Sequence, residues 1–185
     1  MQANFSPFPR LYTERLLLRQ LKLQDADEIY MLRSDDVVNK YLDRPKATSI
    51  EDAKAFINKI ISSQAMFWAI CFKEEPKLLG TICLWNFSEE DNKAEIGYEL
   101  LPAFHGKGIM QEAFLKVIEF AFQTLELNSV EAWTTNQNES SKKMLERNGF
   151  KRNLLLENKI DRAIEGTEVI IYSLPKEVFK QQVAV

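Results

Sequence analysis

The segment 102–111, PAFHGKGIMQ, has the composition of a loop that binds a phosphate group. Gly106 and Gly108 flank Lys107, and glycine readily adopts positive φ, so successive backbone N–H groups can turn inward as an anion-binding nest. The apolar periodicity that begins at Ile109 predicts a helix, whose N-terminal end adds partial positive charge. Lys107 adds a formal charge, and the segment contains no acidic residue.

Two common nucleotide-binding loops do not fit this segment. A Walker A loop needs a glycine five residues before its Gly-Lys pair and a Ser or Thr after the lysine, where this chain has Leu101 and Gly108. A dinucleotide-binding fingerprint needs a third glycine at Gln111. The segment by itself therefore indicates either another kind of phosphate loop or an ordinary turn between a strand and a helix.

The whole chain has the composition of one globular domain spanning residues 1–185, with 45% hydrophobic and 28% charged residues. The formal net charge of −3 gives no reason to expect a nucleic-acid partner. The longest apolar run, Ala65–Phe72, is far shorter than the roughly 20 residues of a membrane span, and the N-terminus lacks a signal-peptide core. Cys71 and Cys83 lack metal-ligand spacing. We expect a cytoplasmic protein with buried thiols, no metal and no membrane contact.

Hydrophobic periodicity predicts a mixed α/β order of β-α-α-β-β-β-α-β-α-β-β. Strands are predicted over 15–19, 66–72, 78–85, 93–101, 129–135, 150–156 and 167–174. Helices are predicted over 25–33, 49–64, 109–125 and 138–148. Ser49 and Asp52 match a capping box, and Gly149 is suited to a left-handed helix stop.

This order, together with two local motifs, resembles the GCN5-related N-acetyltransferase (GNAT) superfamily. Pro102 and the run His105-Gly106-Lys107-Gly108 resemble motif A, the loop that binds the pyrophosphate of acetyl-CoA. The run 138–141, NESS, followed by Gly149-Phe150, resembles motif B, which closes the coenzyme site. The resemblance covers about residues 10–175. It implies a mostly antiparallel central sheet of about six or seven strands, flanked by four helices.

Three short segments resemble the RimJ/RimL-type subgroup, whose members acetylate the N-termini of ribosomal proteins. These segments are TERL at 13–16, EIGYEL at 95–100 and YSL at 172–174. The subgroup resemblance implies that the acceptor is a protein α-amine, such as the N-terminus of a ribosomal protein, or a small-molecule amine.

The resemblance also implies where acetyl-CoA binds, between two strands that diverge after a bulge near Gly97. The implied coenzyme contacts are Leu100, Leu101, His105, Gly106, Lys107, Gly108, Ile109, Met110, Asn138 and Ser141. The N–H of Leu100 is the candidate donor to the thioester oxygen, a contact that contributes about 3–4 kcal/mol in other enzymes. His105 and Met110 depart from the usual motif A residues, which are Arg or Gln and a small residue.

The implied chemistry is direct attack of a neutral amine on the thioester in a ternary complex. An α-amine, with a pKa near 8, is neutral far more often than a lysine side chain with a pKa near 10.4. Glu99 is the candidate base, directly or through water, and Glu95 is the next candidate; a salt-bridged or solvated carboxylate is the alternative for Glu99. Leu145 stands where many relatives carry the tyrosine that protonates the thiolate, which leaves Ser141 as the candidate acid.

Alternatives to the acetyltransferase remain open at this point. One is an acyl-CoA-binding module that has lost catalysis, suggested by Leu145, and the other is a loop that binds a free nucleotide. The acceptor pocket is expected from segments 35–49 and 158–166. Their basic residues either select an acidic acceptor or are ordinary solvated loop charges: Lys40, Arg44, Lys46, Lys159 and Arg162. Neither the acceptor nor the oligomeric state, monomer or homodimer, follows from the sequence.

Overall fold

The protein is described by a computed structural model that covers residues 7–158 and 168–183. The strands in these residues are β1 (Leu11–Tyr12), β2 (Leu16–Gln20), β3 (Met66–Phe72), β4 (Leu78–Ser88), β5 (Lys93–Leu100), β6 (Ser129–Thr135), β7 (Lys151–Arg152) and β8 (Val169–Pro175). The α-helices are α1 (Ala26–Ser34), α2 (Asp36–Asn39), α3 (Ile50–Ile61), α4 (Ile109–Gln123), α5 (Glu139–Arg147), α6 (Leu154–Glu157) and α7 (Lys176–Val183).

The strands form a sheet in the hydrogen-bonded order β1-β2-β3-β4-β5-β6-β8-β7. β5 and β6 are parallel, whereas β1 with β2, β2 with β3, β3 with β4, β6 with β8 and β7 with β8 are antiparallel. The predicted mixed α/β, mostly antiparallel fold is therefore confirmed. The described residues contain eight strands and seven α-helices, more than predicted. The additional elements are β1, α2 and α6, which have only two to four residues each, and the eight-residue helix α7 after β8.

The chain packs as two compact units. The first comprises the described residues up to Trp85 together with Tyr98–Val117, and the second comprises Asn86–Gly97 and the described residues from Ile118 onward. β4, β5 and α4 each contribute residues to both units. The single domain expected from the sequence stays a prediction.

In the first unit, helices α1 and α3 cover an apolar core with strands β3 and β4. The core cluster contains Leu21, Ala26, Ile29, Leu32, Ala53, Ile57, Ala69, Cys71, Leu78 and Leu101. The predicted capping box begins α3, since Ser49 accepts from the N–H of Asp52 and the Asp52 carboxylate accepts from the N–H of Ser49. A buried ion pair joins β2 to the start of α1: Arg19 donates to both carboxylate oxygens of Asp25, at 2.8 and 2.7 Å.

In the second unit, β6 pairs with β8 along its whole length, and α5 is joined to β8 by a side-chain hydrogen bond. In this hydrogen bond, the hydroxyl of Tyr172 on β8 donates to the Glu146 carboxylate on α5 at 2.7 Å. Burial, and then this hydrogen bond, raise the pKa of Tyr172 to about 12. Ser173 accepts from the Asn153 side chain, and Leu174 is buried. The run 172–174 therefore has a structural role that its sequence did not reveal.

The prediction of a strand over 150–156 is wrong beyond its first residues. The strand β7 contains only Lys151 and Arg152, and α6 follows. The reason is Asn153, whose side chain accepts from the N–H of Leu156 and begins a helical turn. Ion pairing of Arg152 with Glu157 stabilises the same turn. The predicted strand over 167–174 is observed as β8, and its first residue, Thr167, lies outside the described residues.

The remaining predicted bounds agree closely with the structure. α3 ends at Ile61 rather than Gln64, α4 ends at Gln123 rather than Leu125, and β6 matches its prediction. None of the helices in the described residues is long and apolar enough to cross a membrane.

Candidate functional site

The loop between β5 and α4 has the backbone geometry that its glycines predict. Gly106 and Gly108 have φ values of 72° and 73°, and both are exposed, as is Lys107. Among the described residues, the N–H groups of these three residues have no main-chain acceptor. Alternating positive φ, open N–H groups and the N-terminus of the long helix α4 are features that favour anion binding.

A clamp from the N-terminal segment holds this loop, and sequence reasoning missed it. Arg15 donates to Glu112 in the first turn of α4, through its Nε at 2.6 Å and its backbone N–H at 2.8 Å. Thr13 also donates to Glu112, at 2.5 Å. The Nη1 of Arg15 donates to the carbonyl of Lys107 at 3.2 Å. The TERL run at 13–16 thus fixes the start of α4 and brings a guanidinium to the loop.

The Glu112 carboxylate remains charged in this clamp. Partial burial raises its pKa, but hydrogen bonds from Thr13 and from the backbone and side chain of Arg15 outweigh that effect, so the pKa of Glu112 lies below its ordinary value. An ionised Glu112 in the first turn also interacts favourably with the α4 dipole.

His105 contacts the end of β5 through its side chain. Its Nε2 lies 2.8 Å from the carbonyl oxygen of Leu100, so the ring donates through Nε2. The next residue, Leu101, donates its N–H to the carbonyl of Leu79 at 2.9 Å. These two bonds fix the backbone at Leu100, the residue predicted to meet the thioester.

Gly80 on β4 lies unusually close to the same backbone. A Cβ at Gly80 would lie 2.4 Å from the carbonyl oxygen of Glu99 and 2.9 Å from the Cα of Leu100. The pairing of β3 with β4 changes register here, because Ile70 faces Gly80 while Cys71 faces Leu78. The bulge predicted near Gly97 stays a prediction, and the close backbone approach lies at Gly80, which periodicity alone does not signal.

Glu99 is held by an ion pair with an arginine far away in sequence. The Nη2 of Arg44 donates to its Oε2 at 2.5 Å, and the Thr81 hydroxyl donates to its Oε1 at 3.2 Å. Arg44 is itself fixed by Asn39, which accepts from its Nε at 2.8 Å. The Glu99 side chain is only 8% exposed. Of the two roles considered for Glu99, the salt-bridged carboxylate is therefore present, and each carboxylate oxygen keeps lone-pair capacity for another donor.

In the second unit, the predicted motif B residues begin α5. The side chain of Asn138 accepts from the N–H of Ser141 at 3.2 Å, which makes Asn138 the helix N-cap. Gly149 has a φ of 82° and ends the helix as predicted. Leu145 is fully buried, so its position belongs to the apolar core.

β6 leads into this segment with unpaired polar groups at its end. The Nε1 of Trp133 and the hydroxyls of Thr134 and Thr135 are buried without a hydrogen-bond partner among the described residues.

The parallel pairing of β5 with β6 joins Lys93–Glu95 to Ser129–Glu131, ahead of Gly97. The divergence of these strands near Gly97 stays a prediction.

The remaining predicted site residues lie in the first turn of α4 or outside the described residues. Ile109 is buried and Met110 half-buried in the first turn of α4. Lys159, Arg162 and most of the predicted acceptor loop 158–166 lie outside the described residues. Within residues 7–158 and 168–183, no cluster of His, Cys, Asp and Glu side chains is arranged to hold a metal ion.

Sequence comparison identifies the family. The family model described as "Acetyltransferase (GNAT) domain" matches residues 15–151. The chain belongs to the GNAT family of acetyltransferases. It is 35% identical to an uncharacterized N-acetyltransferase, p20, of Bacillus licheniformis, over 91% of this chain and 97% of that protein.

Two further comparisons are consistent with this family. It is 45% identical, over 41% of its length and 42% of the relative's, to YdaF of Bacillus subtilis, named as a candidate ribosomal N-acetyltransferase. A GNAT acetyltransferase structure from Bacillus anthracis superimposes with a TM-score of 0.78, at 22% identity, over 91% of this chain and 99% of that one. This similarity supports the fold alone. The relatives are consistent with the RimJ/RimL-like subgroup.

Proposed function

We propose that this acetyltransferase moves the acetyl group of acetyl-CoA to a primary amine, and that a protein N-terminal α-amine is the favoured acceptor. The observation that carries the proposal is the open loop at Gly106–Gly108 before α4. Its main-chain N–H groups suit the pyrophosphate of a coenzyme, and Lys107 and Arg15 add positive charge there.

The residues present fit acetyl-CoA, which supplies an activated acetyl thioester. The coenzyme contacts that we propose in the first unit are Leu100, Leu101, His105, Gly106, Lys107, Gly108, Ile109 and Met110. His105 acts there through its bond to the Leu100 carbonyl, which orients the strand end. Family resemblance extends the proposal to Asn138 and Ser141 in the second unit.

Glu99 is proposed as the acceptor of the amine proton, directly or through one water molecule. Arg44 and Thr81 fix its carboxylate, and its remaining lone pairs can accept from an ammonium group or a water. The N–H of Leu100 is proposed to stabilise the negative charge that develops on the carbonyl oxygen.

The leaving thiolate needs little help. Leu145 has an aliphatic side chain with no proton to donate, which leaves Ser141 as the proposed acid. A thiol with a pKa near that of cysteine, about 8.5, departs without strong general acid catalysis. The fully buried Leu145 also favours a second candidate function, an acyl-CoA-binding module without catalysis.

The name of YdaF supports a protein acceptor, since that relative is named as a candidate ribosomal N-acetyltransferase. The ordinary pKa of an α-amine near 8 supports the same choice over lysine side chains. We therefore propose a protein N-terminus, such as that of a ribosomal protein, as the partner.

Calorimetry with coenzyme A tests the proposed loop. Lys107→Ala is expected to weaken binding about tenfold, because a charge-assisted contact to phosphate is lost. Lys59→Ala, which removes an exposed lysine from α3, is the matched control and is expected to bind normally. Equal affinity of Lys107→Ala and the unchanged protein, or stronger binding of ATP than of coenzyme A, would contradict the proposal.

A further inference from the structure

Two arginines interact electrostatically with Glu99, and only Arg44 is in ion-pair contact with its carboxylate. Arg44 uses its Nη2 for Glu99 and its Nε for Asn39. Arg33, at the end of α1, places its guanidinium 4.0 Å from the centre of the Phe56 ring. No side chain in the described residues forms an ion pair or hydrogen bond with the Arg33 guanidinium. We call Arg33 and Arg44 the arginine pair.

The charges around the arginine pair do not balance. Burial lowers the pKa of Arg33, the positive charge of Arg44 lowers it further, and Glu99 only partly opposes them. The two nearest acids in sequence are engaged elsewhere: Asp35 accepts from the N–H of Val38, and Asp36 pairs with Lys46. Of the two half-buried guanidinium groups, only that of Arg44 therefore has a carboxylate in direct contact.

An arginine without an anionic partner is costly in a half-buried position, and stacking on Phe56 only partly offsets that cost. Stacking on the Phe56 ring fixes the plane of the Arg33 guanidinium. The N–H donors at the edge of that plane stay available for hydrogen bonds. That edge suits the planar, two-oxygen geometry of a carboxylate. The Nη1 of Arg44 likewise has no partner among the described residues.

We propose that the arginine pair binds a carboxylate of the acceptor, so that this acetyltransferase prefers amines carrying an acidic group close to the reacting nitrogen. The inference rests on the proposed function, because Glu99 marks the place of the amine. Arg44 contacts Glu99, the proposed proton acceptor, directly. A carboxylate bound at the opposite edge of the Arg44 guanidinium is therefore separated from Glu99 only by that guanidinium group. An acidic side chain at the first or second residue of a protein N-terminus meets this requirement.

Paired peptides test the inference. One peptide carries Glu at its second position and the other carries Gln, and kcat/KM is measured for each by thiol release. The unchanged protein is expected to prefer the Glu peptide by about 10- to 100-fold, the range of a charge-assisted hydrogen bond. Arg33→Gln is expected to remove most of this preference through KM, and Arg33→Glu is expected to reverse it.

A matched control separates this contact from general surface charge. Lys54→Ala removes a positive charge that is already paired with Glu51 on α3, and it is expected to keep the preference. Coenzyme A affinity and thermal unfolding of each variant report whether the fold and the coenzyme loop are intact. Free glutamate and free glutamine form a second arm, which distinguishes a small amino-acid acceptor from a peptide.

The outcomes separate the inference from the proposed function. Equal kcat/KM for the two peptides, or a preference that survives Arg33→Gln, overturns the inference while acetyl transfer stands. An equal loss of preference in Lys54→Ala also overturns it. The absence of turnover on every amine, with coenzyme A still bound, overturns the proposed function instead.

Discussion

The carboxylate of Glu99 contacts an arginine 55 positions away in sequence. Motif resemblance could suggest Glu99 as a proton acceptor because the strand pattern and the nearby loop are local features of the sequence. It could not predict Arg44, Asn39 or Thr81 as its partners, since those contacts depend on how α2 and β4 pack near β5. Arg33 was missed for the same reason, whereas Arg44 was already a candidate residue of the acceptor pocket.

Replacement of Glu99 separates proton transfer from coenzyme binding. Glu99→Gln keeps the shape of the side chain and is expected to reduce kcat by about 10²- to 10⁴-fold, the usual contribution of a general base. Coenzyme A affinity, measured by calorimetry, is expected to stay within about twofold, because the loop is untouched. Glu95→Gln, on the same strand, is the comparison. A larger loss of kcat in Glu95→Gln than in Glu99→Gln would identify Glu95 as the general base instead.

At the level of elements, β4 and β5 approach closely at Gly80. Gly80→Ala would bring a Cβ to 2.4 Å from the Glu99 carbonyl oxygen, so the backbone of Glu99 and Leu100 must move. We expect a loss of about 1–3 kcal/mol in the free energy of unfolding and a lower kcat. Gly106→Ala is the contrasting variant, since its Cβ meets nothing within 4 Å and only its positive φ is strained. Gly106→Ala is expected to weaken coenzyme A binding instead. A normal kcat in Gly80→Ala would contradict this account.

The clamp at the start of α4 makes stability depend on pH. The pKa of Glu112 is lower in the folded protein than the ordinary value near 4.3, so its contribution is present above that value and is lost as pH falls through the folded pKa. Glu112→Gln is expected to lower the free energy of unfolding by about 1.5–3 kcal/mol above roughly pH 5. The free energies of unfolding of the two proteins, measured in urea, should converge only once the pH falls below the lowered pKa of Glu112 in the folded protein. A constant difference at all pH values would contradict the clamp.

Helices with strong hydrophobic periodicity or clear capping residues were predictable from the sequence. The apolar face of α4, the capping box of α3 and the glycine stop of α5 are local signals, and the structure confirms them. Arg15 and Glu112 are 97 positions apart, so no local pattern could indicate their contact. The short α6 was missed because one side chain, that of Asn153, overrides the apolar run that follows.

For the whole molecule, both cysteines are expected to be inert in the folded state. Burial raises the pKa of Cys71 to about 11, with the charge of Asp25 acting in the same direction, and Cys83 is also buried. Because the thiolate is the reactive form, Ellman's reagent at pH 8 should detect no protein thiol during an assay and two per chain after denaturation. Rapid reaction of a native thiol would show that one strand of the sheet opens readily.

The most direct test of the central claim is incubation of the purified protein with acetyl-CoA and a peptide that has a free N-terminus and an acidic second residue. Mass spectrometry of the peptide and thiol release are followed together. The account predicts one acetyl group on the α-amine for each thiol released, at a rate that Glu99→Gln reduces strongly. Tight coenzyme A binding with no acetylated amine of any kind would contradict it and leave a coenzyme-binding module.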